Sequence, residues 1–435
     1  MKKLRDFAFY LLSLINKRPN TYYIKQLSIR LKSMKKNLLC ACLLALSLTA
    51  TAQDNHGYGA SDGQFKSLSE EIAKLKKHND MFNVYFNYAA SAQVEQDASK
   101  DWSSRFANKQ LRIEVKGNLT DKLYYRFRHR LNKANDAKSE DNFAKATDIM
   151  MVGYKFSDAW KVEAGKMCQI WGGFEFDENP MFIYQYSDML NNMDNFVAGV
   201  TVTYNPVPTQ EIAVEISNAH NEKFAEVYGQ NAMYEDGNGL TLNQLKPARN
   251  PLTYIVNWNG SFLGNKLQTR WAWGIQSEAR HKYSRMLFLG QKLNLDNLQW
   301  YFDYIGSFDS VDRLGIVSRD MQSTNPTLYN DNVWAAGVHY NSFITKLNWQ
   351  FAPQWNLMLK GMYETASAKD ITSLKDYRKS YGYIGSLEYY PVKSQDLRIF
   401  LAYIGKKVHY TALSGLSNYN TNRIELGFMY RIKAY

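Results

Sequence analysis

The sequence predicts an all-β protein: a transmembrane antiparallel β-barrel of about sixteen strands, with a short N-terminal periplasmic helix. Three observations lead to this prediction. Apolar and polar residues alternate with a period of two in about sixteen segments. Short and long connections alternate between the segments, and a secretion signal precedes them. The 435 residues have room for one large barrel.

Charge and hydropathy exclude two other classes of protein. Residues 1–52 hold ten of the 53 basic side chains and one of the 41 acidic ones, so 43 basic and 40 acidic side chains remain in residues 53–435. This near balance leaves no basic field to neutralise phosphates, so we expect no nucleic-acid partner. No run of eighteen apolar residues exists, which excludes a helical membrane protein.

The N-terminus carries an export signal. Residues 34–52 contain two lysines, an eleven-residue apolar stretch and small residues before Gln53, which are the three parts of a signal peptide. A buried N-terminal helix and a lipoprotein signal at Cys42 are the alternatives. Residues 1–33 are interpreted as an extension or as a misassigned translation start. Cleavage leaves Cys168 as the one cysteine, so no intramolecular disulfide is expected.

Residues 53–80 are predicted to form a periplasmic segment with one helix. Phe65, Leu68, Ile72 and Leu75 follow a 3-4-3 spacing with Lys and Glu between them. Two heptads of this kind indicate either a short coiled coil or an amphipathic helix that lies on the domain.

The barrel itself is predicted over residues 81–435. In a typical strand Leu111, Ile113 and Val115 alternate with Arg112 and Glu114. The predicted strands are 81–93, 104–118, 122–133, 144–156, 159–168, 194–204, 209–219, 251–259, 265–278, 281–293, 296–306, 333–352, 355–366, 379–390, 396–406 and 422–434.

The connections decide between a barrel in lipid and a soluble β-sandwich, because alternation alone fits both. Tight turns and long loops alternate, except for a short connection near Ala279 where a long one is expected. Segments of about ten to fifteen residues match tilted spans, which need about 9–11 residues. Trp and Tyr at strand ends fit an aromatic girdle. An even number of strands places both termini on the periplasmic side, in the outer membrane of a diderm bacterium.

Three stretches resemble the phosphate-selective porin O and P family. They are RIEVKGNLTDKLYYRFR at 112–128, VEAGK at 162–166 with WGGFE at 171–175, and APQWNL at 352–357. The resemblance is diffuse and covers most of residues 81–435. It implies a sixteen-stranded, trimeric outer-membrane porin with a short coiled coil before the barrel. It leaves open whether phosphate is the solute.

The alternation assigns a set of basic residues to the lumen. The candidates for an anion path are Arg112, Lys116, Arg126, Arg128, Arg130 and Lys161. Arg126, Arg128 and Arg130 form a ladder with rungs about 6–7 Å apart, and the guanidinium fork suits phosphate or carboxylate. The alternative is that these arginines pair with Glu114 and Glu163 and hold the wall in shape.

The connection at 169–193 is predicted to fold inward and narrow the pore, because it holds too many aromatic residues for a free surface loop. Its acids can face the arginine ladder and create a transverse field. A divalent-cation site is a weaker alternative because no ligand loop geometry is present. The candidate constriction residues are Trp171, Phe174, Glu175, Asp177, Glu178 and Tyr184.

No catalytic, metal or cofactor site is predicted, since the seven histidines are scattered and none has metal-ligand spacing. Ser284 near His281 is the weak candidate for a barrel hydrolase. The predicted function is a porin: a passive, modestly anion-selective channel for small anionic or neutral solutes, forming a homotrimer in outer-membrane lipid. The alternatives are a poorly selective porin and a non-conducting barrel with a surface or structural role.

Overall fold

The computed structural model describes residues 81–434 apart from 136–139, 238–241 and 393. The signal peptide, the periplasmic helix and the extension predicted for residues 1–80 lie outside the described residues. The described chain is built from strands. They are β1 (Asn83–Gln96), β2 (Trp102–Asn118), β3 (Leu123–Arg130), β4 (Thr147–Lys155), β5 (Trp160–Cys168), β6 (Phe196–Val207), β7 (Gln210–Asn218), β8 (Met233–Glu235), β9 (Leu242–Gln244), β10 (Leu252–Phe262), β11 (Leu267–Ala279), β12 (Lys282–Asn294), β13 (Leu298–Val311), β14 (Val333–Ala352), β15 (Trp355–Ala368), β16 (Arg378–Tyr389), β17 (Asp396–Tyr410) and β18 (Tyr419–Lys433).

Sixteen of these strands close into one antiparallel barrel. Each strand pairs with its neighbour in sequence, β7 pairs with β10 across the intervening loop, and β1 pairs with both β2 and β18. The closing seam runs over twelve residue pairs, from Tyr85 opposite Lys433 to Gln96 opposite Asn422. The predicted fold class is therefore confirmed, and each predicted segment overlaps one barrel strand.

The two remaining strands, β8 and β9, form a small hairpin that the sequence did not predict. They lie in the loop between β7 and β10, and β8 runs parallel to the start of β14, with Tyr234 opposite Trp334. Three-residue strands are too short to show a period of two, which explains why they were missed.

The outer face of the barrel is apolar. Val214, Leu359, Leu401 and Leu426 are among the large apolar side chains exposed there, while the residues between them point inward and are buried. No helix in the described part of the chain is long and apolar enough to cross a membrane.

Tight turns lie at one end of the barrel and long loops at the other, as predicted. The exception at Arg280–His281 is also present, and it turns sharply because His281 adopts a positive φ of 60°. We call the two ends the tight-turn end and the long-loop end. The helices α1 (Phe174–Asp177), α2 (Asp188–Asn192), α3 (Phe224–Val227) and α4 (Ile316–Thr324) all belong to the long connections.

Leu401 tests the lipid-facing assignment. It lies between Leu387 and Leu426 on the neighbouring strands. We expect Leu401→Arg to lower the free energy of unfolding by about 2–4 kcal/mol, because a charge near the bilayer midplane loses its hydration. His409→Arg, on the same face of β17 at the long-loop end, should cost no more than about 1 kcal/mol. Guanidinium unfolding in lipid vesicles, followed by tryptophan fluorescence, measures both; equal losses would contradict the assignment.

Candidate functional site

The connection at 169–193, here called the inner loop, lies inside the barrel. Trp171 is fully buried and stacks on Phe288 of β12, with ring centroids 5.6 Å apart. Phe174 stacks on Tyr301 of β13 at 5.8 Å. The aromatic side chains of the loop therefore pack against the inner wall of the barrel.

Glycines allow the inner loop to approach the wall closely. Gly172 and Gly173 have φ values of 75° and 80°, a region that other residues rarely adopt. On the facing strand, a Cβ at Gly290 would lie 2.7 Å from an oxygen of Asp303 and 3.1 Å from Cα of Gly173. A side chain at position 290 would push the loop off the wall.

Buried polar groups of the wall hold the backbone of the inner loop. The amide of Glu175 donates to Oδ2 of Asp303 over 2.8 Å, and the amide of Ile170 donates to Oε2 of Glu215 over 3.2 Å. The Asn257 amide group donates to the carbonyl oxygen of Ile170 over 2.8 Å. Side chains of β7, β10 and β13 thus replace the hydrogen bonds that the loop backbone would make with water.

The acids of the first half of the inner loop pair with cations of the facing wall. Asp177 lies 3.1 Å from Nε of Arg270 on β11. The other two pairs join Glu178 to Lys346 on β14 and Glu175 to Lys360 on β15. The sequence suggested that these acids face the arginine ladder; the structure instead pairs them with β11, β14 and β15.

The second half of the inner loop continues around the lumen. The Tyr184 hydroxyl donates to Glu388 of β16 over 2.8 Å, and its ring packs edge-on against Phe400 of β17 at 4.9 Å. Asp188, at the start of α2, pairs with Lys406 and with Arg378. The loop therefore contacts most of the circumference.

The arginine ladder lies on the inner face of β3 and pairs with two carboxylates. Nε of Arg126 is 2.8 Å from Glu114, Nε of Arg128 is 3.3 Å from Asp148, and Nε of Arg130 is 2.8 Å from Asp148. Arg112 of β2 also lies 3.6 Å from Asp148.

Asp148 is a residue that sequence reasoning missed. Strict alternation with Met150 and Val152, which face lipid, places Asp148 on the outside. The β3–β4 register shifts at Arg128 and His129, however, and this irregularity turns Asp148 inward. No signal in one sequence marks such a bulge.

The other two lumen candidates also lie on the inner face. Lys161 is 3.5 Å from Glu211 and 4.0 Å from Glu163, whose other oxygen accepts a hydrogen bond from Tyr124. The ammonium group of Lys116 lies 5.3 Å from the centre of the Tyr85 ring.

The inner face of β18 and β1–β4, here called the cationic wall, has more cations than acids. Among the residues that the structure describes, seven basic side chains share three carboxylates, those of Glu114, Asp148 and Glu425. The seven are Lys109, Arg112, Arg126, Arg128, Arg130, Arg423 and Arg431.

The carboxylate is the more deeply buried partner in these pairs except one, because Arg128 is 1% exposed against 3% for Asp148. The side chain of Arg130 is 30% exposed and that of Asp148 3%. Lys109 is 16% exposed and Arg423 19%, whereas their shared partner Glu425 is fully buried. Water in the lumen therefore contacts the basic side chains more than it contacts their carboxylate partners.

An open cavity with about 430 Å³ of empty volume lies beside the tip of the inner loop, towards the long-loop end. It is lined by residues of both charges, among them Asp188, Glu364, Lys406 and Arg423. The cationic wall and the inner loop meet at this cavity.

The described residues contain no group of three or more His, Cys, Asp or Glu that could hold a metal ion. The Ser284 hydroxyl, the weak hydrolase candidate, points inward and donates to Asp309 of β13. Cys168 is a buried free thiol.

A closed sixteen-stranded barrel with polar side chains inside and an apolar belt outside defines the class of outer-membrane porins. The family model for phosphate-selective porin O and P matches residues 82–432, so the chain belongs to that family. The resemblance seen in the sequence is thereby confirmed.

Solved structures agree with the fold. The outer membrane channel DcaP of Acinetobacter baumannii superposes with a TM-score of 0.55 at 12% identity, over 83% of this chain and 99% of that one. OmpT of Vibrio cholerae gives 0.51 at 10% identity, over 82% of this chain and all of the other. No curated protein matches the sequence.

We expect Asp177 to make ion selectivity depend on pH. Burial raises the pKa of Asp177 to about 6, against the opposing attraction of Arg270. Between pH 7.5 and pH 5 the carboxylate gains a proton, while Arg270 keeps its charge. We expect anion preference to increase over this interval.

Asp177→Asn isolates this contribution. The variant should show the higher anion preference already at pH 7.5 and a smaller change on acidification. Reversal potentials across a planar bilayer with a KCl gradient measure both effects. The same pH response in the variant and the parent protein would contradict the assignment to Asp177.

Proposed function

We propose that this porin is a passive channel that favours small anions and that the cationic wall is the source of this preference. The observation that carries the proposal is the sharing of three buried carboxylates among seven basic side chains. Solutes cross down their gradient, while the inner loop limits their size.

Arg126 and Arg130 are the ladder members that retain water contact, with Arg128 between them. The Nη2 atom of Arg128 has no hydrogen-bond partner among the described residues. An oxyanion passing along β3 can accept hydrogen bonds from the guanidinium groups of Arg126 and Arg130 in turn, two positions about 13 Å apart along the strand. Phosphate and carboxylate solutes both have this chemistry. Nothing in this transfer requires a catalytic residue or a cofactor, and we propose no enzymatic activity.

The packing of the lumen favours a second candidate, a barrel that does not conduct. The inner loop is anchored on β11, β14 and β15 by ion pairs, and its aromatic side chains are buried. Conductance separates the two functions: folded protein that stays silent in a bilayer would support the closed barrel and contradict the channel.

In the membrane we propose that the tight-turn end, where β1 begins and β18 ends, faces the periplasm and that the long loops face outward. We also propose a homotrimer. The first part of β2 supports an association surface, because β3 pairs with β2 only from Arg112 onward while Phe106 is 93% exposed. This edge is free among the described residues, and a free strand edge readily meets another chain.

Replacing Arg126 and Arg130 with glutamine tests the anion path. A unit charge acting at about 8 Å in water is worth about 0.5 kcal/mol, which attracts an anion and repels a cation. Loss of two charges therefore changes the energy difference between the two ions by about 2 kcal/mol and should lower the anion-to-cation permeability ratio about thirtyfold. Single-channel recording in a KCl gradient measures the ratio.

The matched control is Lys379→Gln with Lys407→Gln, which removes two charges from the outer face of the barrel and should leave selectivity unchanged. A parent channel that is open but unselective would reduce the ladder to a structural role. An unchanged ratio in the Arg126 and Arg130 variant would do the same.

The oligomer is tested by deleting residues 65–78, the predicted coiled coil. If the heptads join subunits, the deletion should shift the mass found by light scattering in detergent from trimer towards monomer. Phe106→Ser tests the strand edge in the same assay. A stable trimer in both variants would show that neither feature holds subunits together.

A further inference from the structure

Among Asp, Glu, Lys, Arg and His, the lipid-facing side of β11–β18 carries only basic residues, and all of them lie near the long-loop end. The acids of these strands point inward and are buried: Glu278, Asp303, Asp309, Glu364, Glu388, Asp396 and Glu425. The lipid-facing ionisable residues are all basic: Arg285, His339, Lys379, Lys407 and His409. Each of them lies near the long-loop end of its strand.

The basic residues lie closest together on β16 and β17. Lys379, Lys407 and His409, together with Tyr381 between them, are here called the outer basic patch. Lys379 lies directly opposite His409, and Tyr381 lies opposite Lys407. Lys379 and Lys407 are therefore diagonal neighbours, a relation that places the two residues about 7–8 Å apart and their Cβ atoms somewhat closer. Two flexible ammonium arms at this spacing can reach the same phosphate group.

Tyrosines place the outer basic patch at the edge of the membrane. The ring of Tyr381 contacts His409 edge-on, with centroids 6.0 Å apart, and contacts Tyr363 on the opposite side at 5.2 Å. Tyrosine collects at the level of lipid headgroups, where its hydroxyl stays wet. The patch thus lies where headgroup phosphates lie and hydrocarbon ends.

The side chains next to the patch do not supply an acid. Lys379 faces Thr365 on β15, and Lys407 faces Asn420 on β18. A lysine on the lipid side can extend its ammonium group to the interface, where its cost is small. What remains there is uncompensated positive charge directed at the surrounding lipid.

We propose that the outer basic patch binds phosphate-bearing lipid headgroups of the leaflet that surrounds the long-loop end. Lys379 and Lys407 hold the phosphate between them, His409 adds a further donor, and Tyr381 contacts the sugar or glycerol part of the headgroup. This function is separate from transport, because the outer basic patch lies on the outer face of the barrel and the cationic wall lies on the inner face.

Native mass spectrometry of the full chain in detergent tests the proposal, with diphosphorylated lipid A as the probe. Each lysine near an anionic lipid surface is worth about 1 kcal/mol, so Lys379→Gln with Lys407→Gln should weaken binding about thirtyfold. Lipid A without phosphates should bind both proteins equally weakly.

Lys369→Gln with Lys375→Gln is the matched control. These exposed lysines belong to the loop between β15 and β16. The variant therefore loses two positive charges, as the patch variant does, but from a loop outside the barrel strands, and it should keep its affinity for lipid A. Equal weakening in the two double variants would overturn the proposal in favour of general attraction, and so would unchanged affinity in the patch variant. Where the double variant does not fold, Lys407→Gln alone is measured and should lose about fivefold. The selectivity of the channel stays the same in every folded patch variant, so failure here is distinguishable from failure of the anion path.

Discussion

A backbone amide or carbonyl left unpaired in hydrocarbon costs several kcal/mol, and this constraint determines the described structure. A sheet meets it by closing on itself, which here depends on the seam between β1 and β18. Closure fixes which side chains face lipid and which face the interior. Because the outside must be apolar, nearly all ionised groups of the strands are directed inward. The interior then has to neutralise them, and the inner loop contributes carboxylates to that task.

Neutralisation is uneven around the barrel. On β11, β14 and β15 each cation meets its own carboxylate from the inner loop. On the cationic wall Glu114, Asp148 and Glu425 come from the strands themselves, and each of the three pairs with two or three cations. A buried cation that shares its carboxylate retains an attraction for a further anion. The two sides of the lumen therefore have different roles. The cations of β11, β14 and β15 hold the inner loop in place, whereas those of the cationic wall are the ones that we propose meet solutes.

The strands could be predicted because each faces lipid on one side and polar groups on the other, so their period of two is visible in residues such as Leu111 to Val115. The partners of the inner-loop acids could not be predicted. Glu175 and Lys360 are 185 residues apart, and only the path of the loop inside the barrel joins them. The inward direction of Asp148 could not be predicted for a local reason, because a register shift of one residue reverses the face on which a side chain lies. The period of two therefore predicts which residues form the barrel wall, whereas irregular backbone determines which charged side chains pair inside it.

The acidity of the inner loop and an anion-favouring lumen are compatible for a geometric reason. Four acids of the loop, Glu175, Asp177, Glu178 and Asp188, are directed at cations of β11 and β14–β17. Each such pair has little net field at the distance of a passing ion, since opposite charges a few ångströms apart nearly cancel in water. The loop acids therefore subtract little from the field of the cationic wall on β18 and β1–β4. A loop that turned the same acids towards Arg126 and Arg130 would cancel that field instead. In the proposed channel, the direction in which the loop presents its carboxylates, more than their number, determines which sign of charge a passing solute meets.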